Sequence, residues 1–260
     1  MIPGSQLIWD TALADIATSP MQLHFDQNVC AASVQPGGLC GASQPNAFCW
    51  EGYPAEPPVL PALPRTLAET ELLLHSPVVN LAAITEVARC DAGLIAQLLL
   101  LANRDQEESD RFYRIEDCVV KIGLSPLREL VGAMPSLLPC DWRYGALLNH
   151  SRLTALAAEA IASQMHGVNP EQAYLSGLLH LFPDLVSVAW AAQTGGEASS
   201  ESTAWPLPAF AWEVIRSFRH PSAVAGQEHR LVEVAFAACE WASQTEQRWS
   251  ATRRSSLICI

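Results

Sequence analysis

A chain of 260 residues, half of them apolar and only 16% charged, is long enough to bury a large core. Its net charge of −12 and its single lysine, Lys121, argue against direct nucleic-acid binding, which needs clustered Lys and Arg to displace counterions. Arg248 to Arg254 is the one locally basic stretch, and it reads as a solvated chain end.

Residues 1 to 57 carry the weakest pattern. Leu7 to Ile16 fits a short helix, and Ala31 to Pro64, rich in Pro, Gly, Ser and Ala, reads as a linker. Phe48, Trp50 and Tyr53 in that linker are candidates for docking on a neighbouring surface. Met1 to Asp10 has no basic region, so no signal peptide is expected. No uninterrupted apolar run approaches the roughly 18 residues of a membrane span. Cys259 is second from last and forms no prenylation box. A cytoplasmic protein is expected.

Clear structure begins at Leu60-Pro61-Ala62-Leu63-Pro64, a rigid lead-in to a helix over Thr66 to His75 that Ser76-Pro77 stops. Asn80 is placed to cap a second helix with the stripe Leu81, Ile84, Val87 and Ala88. Asp91 is placed to cap a third, where Leu94, Ile95, Leu98, Leu101 and Ala102 form a wide apolar face. The polar loop Arg104 to Arg111 follows; its acids Asp105, Glu107, Glu108 and Asp110 are a solvated cluster or a contact for a basic partner. Ile115, Val119 and Ile122 mark a fourth helix with Gly123 as C-cap. Ser125-Pro126 reads as the opening of a fifth.

Pro135 and Pro139 divide this lobe, about 58–138, from a second over about 139–245. A long helix is predicted from about Trp142 to Met165, with Leu153, Leu156, Ala157, Ala160 and Ile161 inward. Asn169-Pro170-Glu171 starts another, ending near Pro183, and Leu185 to Ala192 is a further piece. Gln193 to Thr203 reads as a loop, Trp212 to Phe218 and Leu231 to Thr245 as the last helices, and 246–260 as a tail. No run alternates with period two, so the fold class is all-α with almost no sheet.

None of the eight cysteines forms a Cys-x-x-Cys pair, which excludes zinc-ribbon and thioredoxin readings. Cys90, Cys118 and Cys239 fall in apolar helical patterns and read as buried free thiols, while Cys30, Cys40 and Cys49, close enough together to bind metal or crosslink, read as reduced bystanders. There is no Gly-x-Ser-x-Gly elbow, phosphate-cradling Gly-rich loop or dinucleotide fingerprint.

Several strings together carry a family resemblance. They are Leu60 to Pro64, Asp91-Ala92-Gly93-Leu94 through Leu101-Ala102-Asn103, and Val120-Lys121-Ile122-Gly123-Leu124. Tyr174-Leu175-Ser176-Gly177-Leu178-Leu179-His180 and Ile215-Arg216-Ser217-Phe218-Arg219-His220-Pro221 complete the set. In this order, over about residues 58 to 245, they resemble the HDOD domain family. That family is similar in fold to the HD phosphohydrolases but generally lacks their catalysis. Its members are bacterial signalling proteins, often joined to response-regulator or other sensory modules. The resemblance implies a two-lobe helical bundle with a regulatory role.

An HD-type hydrolase binds metal through a first His, an adjacent His-Asp pair and a later Asp; the metal lowers the pKa of a bound water for attack on phosphorus. His150 matches the first position and His180 the His of the pair. Leu181 stands in place of the pair's Asp, and Cys239 falls about where the last Asp is expected. A Leu offers no lone pair, and two neutral imidazoles alone make a poor hard-metal site. These four therefore read as vestigial metal-site positions, with the histidines as hydrogen-bonded core or cleft residues and no metal, cofactor or catalytic residue expected. A soft set of His150, His180 and Cys239 for zinc is the conceivable exception. Arg219-His220 stands where paired histidines often occur, with His220 read as a surface helix end.

The leading expectation is a non-catalytic regulatory module acting through protein partners, with a homodimer as one possible form. A groove between the lobes, or the tryptophans Trp190, Trp205, Trp212, Trp241 and Trp249, could carry the contact; core packing is the plainer reading of Trp212 and Trp241. The rivals are a divergent metal-dependent phosphohydrolase and a nucleotide-binding sensor without turnover.

Overall fold

Proline sets the first helix going. Pro64, whose missing N–H costs nothing in a first turn, opens α1 (Pro64–Leu74) in a computed structural model that describes residues 59–137, 142–194, 205–219 and 228–257. The expected elements of residues 1 to 57, Pro139, most of the Gln193–Thr203 loop, and His220 lie outside the described residues. Arg128 closes α1 by donating two hydrogen bonds to the Leu74 carbonyl. The lead-in is more than a spacer. Leu60 and Ala62 are fully buried, and Ala62 pairs through N–H and C=O with Pro135 and Leu137 in an isolated parallel bridge.

Asn80 caps α2 (Leu81–Arg89) as its sequence position predicts, its side chain accepting from the Ala83 amide. Asp91 caps α3 (Ala92–Ala102) by accepting from the Leu94 amide. Its other oxygen accepts from the Leu63 amide at 2.6 Å, tying the lead-in to α3. The apolar face predicted for α3 is wider than a stripe: every residue from Ala92 to Leu99 is buried, as expected of a helix apolar all round. After the short 3-10 turn Glu108–Asp110, Asn103 and Phe112 exchange two hydrogen bonds that close the loop.

α4 (Ile115–Ile122) ends at Gly123, whose φ of +80° suits glycine. α5 (Leu124–Ala133) begins one residue before the Ser125-Pro126 predicted to open it. Gly123 is its N-cap, no side chain caps it, and Pro126 occupies the first turn, where no N–H partner is needed.

The second half is built on α6 (Trp142–Ser163), α7 (Pro170–Leu179) and α10 (Glu228–Leu257), with α8 (Phe182–Thr194) and α9 (Ala209–Arg219) between. Asn169 caps α7, its side chain accepting from the Glu171 and Gln172 amides. α7 stops at Leu179, earlier than predicted, because Pro183 has no N–H for the Leu179 carbonyl and its ring would clash there. α10 runs well past Thr245, through much of the stretch read as a tail.

One apolar cluster runs from Leu60 through α3 and α6 to Ile215 on α9, so the core is continuous across the expected lobe boundary. Trp205 is part of it, set edge-on to Phe182 at 4.9 Å; this corrects its reading as a contact residue. A second cluster joins Ala157, Ala158 and Ile161 of α6 to Val234, Ala235 and Ala238 of α10. Polar clamps also join the halves. Arg89 on α2 pairs with Glu159 on α6 at 2.6 Å and lies over the Tyr174 ring at 4.0 Å, and the Tyr174 hydroxyl donates to the Arg89 carbonyl. Arg114 pairs with Glu171 at 3.1 Å. Among the described residues one stretch, Pro170–Gln193, is long and apolar enough to cross a membrane; it spans α7 and α8, and 67% of its most apolar window is buried inside the protein.

A sealed histidine–cysteine cluster as candidate functional site

Three helices bring their chemistry to one point. His150 sits midway along α6, His180 at the C-terminal end of α7, and Cys239 on α10. The sequence separates them by up to 89 positions, yet one possible ligand atom from each lies within 4.8 Å of the others. The residues are 0%, 2% and 3% exposed. Three of the four expected positions therefore meet. Leu181 does not supply polar chemistry: it is buried in the main apolar cluster, where an Asp would need a partner.

α6 and α7 approach closely enough for this because Gly177 has no side chain. A Cβ there would stand 2.8 Å from both Ala155 Cα and the Thr154 carbonyl oxygen. Gly177 is also the anchor for His180. The His180 Nδ1 lies 2.6 Å from the Gly177 carbonyl oxygen, one of the last-turn carbonyls of α7. A carbonyl only accepts, so Nδ1 carries the proton and a neutral His180 has its lone pair on Nε2.

His150 is oriented in the same sense. Its Nδ1 lies 3.0 Å from a carboxylate oxygen of Glu246, which also only accepts. The neutral ring then has its lone pair on Nε2, which faces Cys239 Sγ at 3.4 Å. The two imidazoles are 5.4 Å apart, centroid to centroid. Phe218 of α9 lies 4.9 Å from the His180 ring and stacks on Phe236 at 4.1 Å, closing that side with hydrocarbon.

Glu246 is the functional-site residue that sequence reasoning missed, because the last helix was ended at Thr245. A signal was present: Cys239 and Glu246 are seven positions apart, which places them on one face of a continuous helix. The other two described cysteines stand outside the cluster. Burial pushes the Cys118 thiol up to about 12, which makes it inert. Cys90 is the C-cap of α2, half-buried, and its thiol too is raised by burial.

The donor set decides what chemistry is possible. A pair of bridged hard cations needs carboxylate oxygens, and none of the three clustered residues has one. The residues present do not fit a two-metal phosphohydrolase centre.

A family model for the HDOD domain matches residues 60–213. The chain belongs to the HDOD family. Two crystal structures of the MmoQ response regulator from Methylococcus capsulatus strain Bath share the fold. One, of fragment 20–298, is 18% identical, with a TM-score of 0.56 over 75% of this chain and 90% of that one. The other is 17% identical, with a TM-score of 0.56 over 75% and 92%. No curated protein sequence matches the chain. Two expectations drawn from the resemblance thus hold for this HDOD protein: its family and, among the described residues, its all-helical fold.

Proposed function

We propose that this HDOD protein is a non-catalytic signalling module that works through protein contacts rather than turnover. The observation that carries the reading is the closed site: His150, His180 and Cys239 are at most 3% exposed, and Leu181 replaces the acid that hydrolysis would need. MmoQ, whose two structures share the fold, is a response regulator, which supports the same direction, as does family membership.

Among the described residues, a surface suited to a partner is the groove between the halves, about 410 Å³ in volume. It is lined by Arg89, Arg114, Glu86, Glu116, Glu159 and Glu171, so its rim is polar and acid-rich. Such a rim selects by charge complementarity and suits a partner segment with spaced Arg or Lys. Glu86, exposed on this rim, is the residue to change.

Two measurements test this. The purified full chain is expected to hydrolyse neither phosphomonoesters nor cyclic nucleotides with magnesium or manganese. In extracts of its native host, a tagged chain is expected to retain a stoichiometric protein partner that Glu86→Arg loses while keeping the wild-type melting temperature. Metal-dependent turnover abolished by His180→Ala sinks the reading, as does the lack of any reproducible partner.

A further inference from the structure

We propose that His150 Nε2, His180 Nε2 and Cys239 Sγ bind one thiophilic divalent cation of the zinc class, as a clasp between α6, α7 and α10. Zinc accepts imidazole nitrogen and thiolate sulfur, whereas magnesium and calcium require oxygen donors. The cluster offers two nitrogens and one sulfur, all within 4.8 Å of one another. Zinc–nitrogen bonds of about 2.0 Å and a zinc–sulfur bond of about 2.3 Å set tetrahedral donor separations of roughly 3.3–3.6 Å. The pair His150 Nε2 and Cys239 Sγ, at 3.4 Å, already has that spacing. The other donor pairs of the cluster lie within 4.8 Å, so bound metal has to draw the donors together by at most about 1.5 Å.

The orientation of both rings carries the argument further than proximity does. A metal-binding histidine characteristically donates its other ring N–H to a carboxylate or a backbone carbonyl, which fixes the tautomer and strengthens the ligand. His150 donates Nδ1–H to the Glu246 carboxylate, and His180 donates Nδ1–H to the Gly177 carbonyl. Both neutral rings thus carry their metal-binding lone pair on Nε2. A plain core histidine needs only one such bond; here both rings have the same tautomer beside the same thiol.

Charge closes as well. Binding releases the Cys239 S–H proton to solvent and leaves a thiolate, so the cation and its thiolate carry a net +1. The Glu246 carboxylate on the far side of His150 brings the buried assembly to zero. Three protein ligands leave one tetrahedral position for a water or another small ligand. The burial of the set makes the clasp structural or sensory in role, and its positioning residue is Glu246.

The test uses the full-length reduced protein and cobalt(II) as a spectroscopic stand-in for zinc. One equivalent is expected to give intense tetrahedral visible bands and a thiolate-to-cobalt charge-transfer band, both bleached by one equivalent of zinc. Zinc should raise the melting temperature of the wild-type chain. Cys239→Ser should lose the charge-transfer band and most of the zinc-dependent shift. Glu246→Gln should keep one site but weaken zinc binding by about 10–100-fold. A wild-type protein without the charge-transfer band overturns the proposal, whatever the variants do. A band that survives in Cys239→Ser overturns it too, since the thiolate then comes from another of the chain's eight cysteines. Failure here leaves the partner-binding reading standing, because that reading needs only a closed site.

Discussion

Asp91→Ala is expected to cost about 3–5 kcal/mol of folding stability, the largest effect of any substitution considered for this fold. The residue is fully buried, and its carboxylate accepts from the Leu63 amide at 2.6 Å and the Leu94 amide at 3.1 Å. Alanine leaves both amides without their acceptor. Each such group costs about 1–3 kcal/mol, and loss of an N-cap falls in the same range. A domain of this kind has about 5–15 kcal/mol in all, so the variant should remain folded with little to spare. Denaturant unfolding at pH 7 measures this; a loss below about 1 kcal/mol would mean that the amides find other partners.

Asp91→Asn separates charge from hydrogen bonding, and pH reads the difference. Burial is the main influence on the Asp91 carboxyl and lifts it from 3.8 to about 6, against the pull of the Leu63, Leu94 and Gly93 amides and the Thr66 hydroxyl. Between those two values the folded protein holds more protons than the unfolded chain. Stability from this group is therefore highest below pH 4, falls as pH rises to about 6, and is flat above. The span corresponds to at most about 3 kcal/mol. Asparagine does not titrate, so the wild-type advantage over Asp91→Asn should shrink as pH rises from 4 to 6. An advantage that grows over this range would show that the amides outweigh burial.

Gly177→Ala is the second large effect, and its sign is the informative part. In an ordinary helix interior the change stabilises by up to about 1 kcal/mol. Here the added Cβ would lie 2.8–2.9 Å from Ala155 Cα, Ala155 N and Thr154 O, which are backbone atoms that a rotamer change cannot move. α6 and α7 must separate, and overpacking of this kind costs about 1–3 kcal/mol. A net loss of about 1–2 kcal/mol is expected. The same shift moves the Gly177 carbonyl that holds His180, so cobalt binding at the cluster should weaken with it. A stabilised variant would show that the helices accommodate the methyl.

Much of the helical frame was legible from local signals because those signals act over one turn. Asn80, Asp91 and Asn169 are caps in the sequence and caps in the structure. Gly123 ends α4 as expected, and the apolar run Leu94–Leu99 announces a buried helix. The boundary errors are of one kind. The α7 end, the α5 start and the length of α10 depend on competition between neighbouring residues and on packing, which periodicity does not weigh.

For the site, residue type and order were enough to pick out His150, His180 and Cys239 and to register that Leu181 removes the acid. They could not say that the three meet, or that both rings are held through Nδ1 by an acceptor. That outcome depends on the closeness of α6 and α7 at Gly177, on the continuation of α10 to Glu246, and on the aromatic wall of Phe218 and Phe236. Caps and periodicity are properties of a segment. Convergence of side chains from three helices is a property of the packed core, and only the tertiary structure decides it.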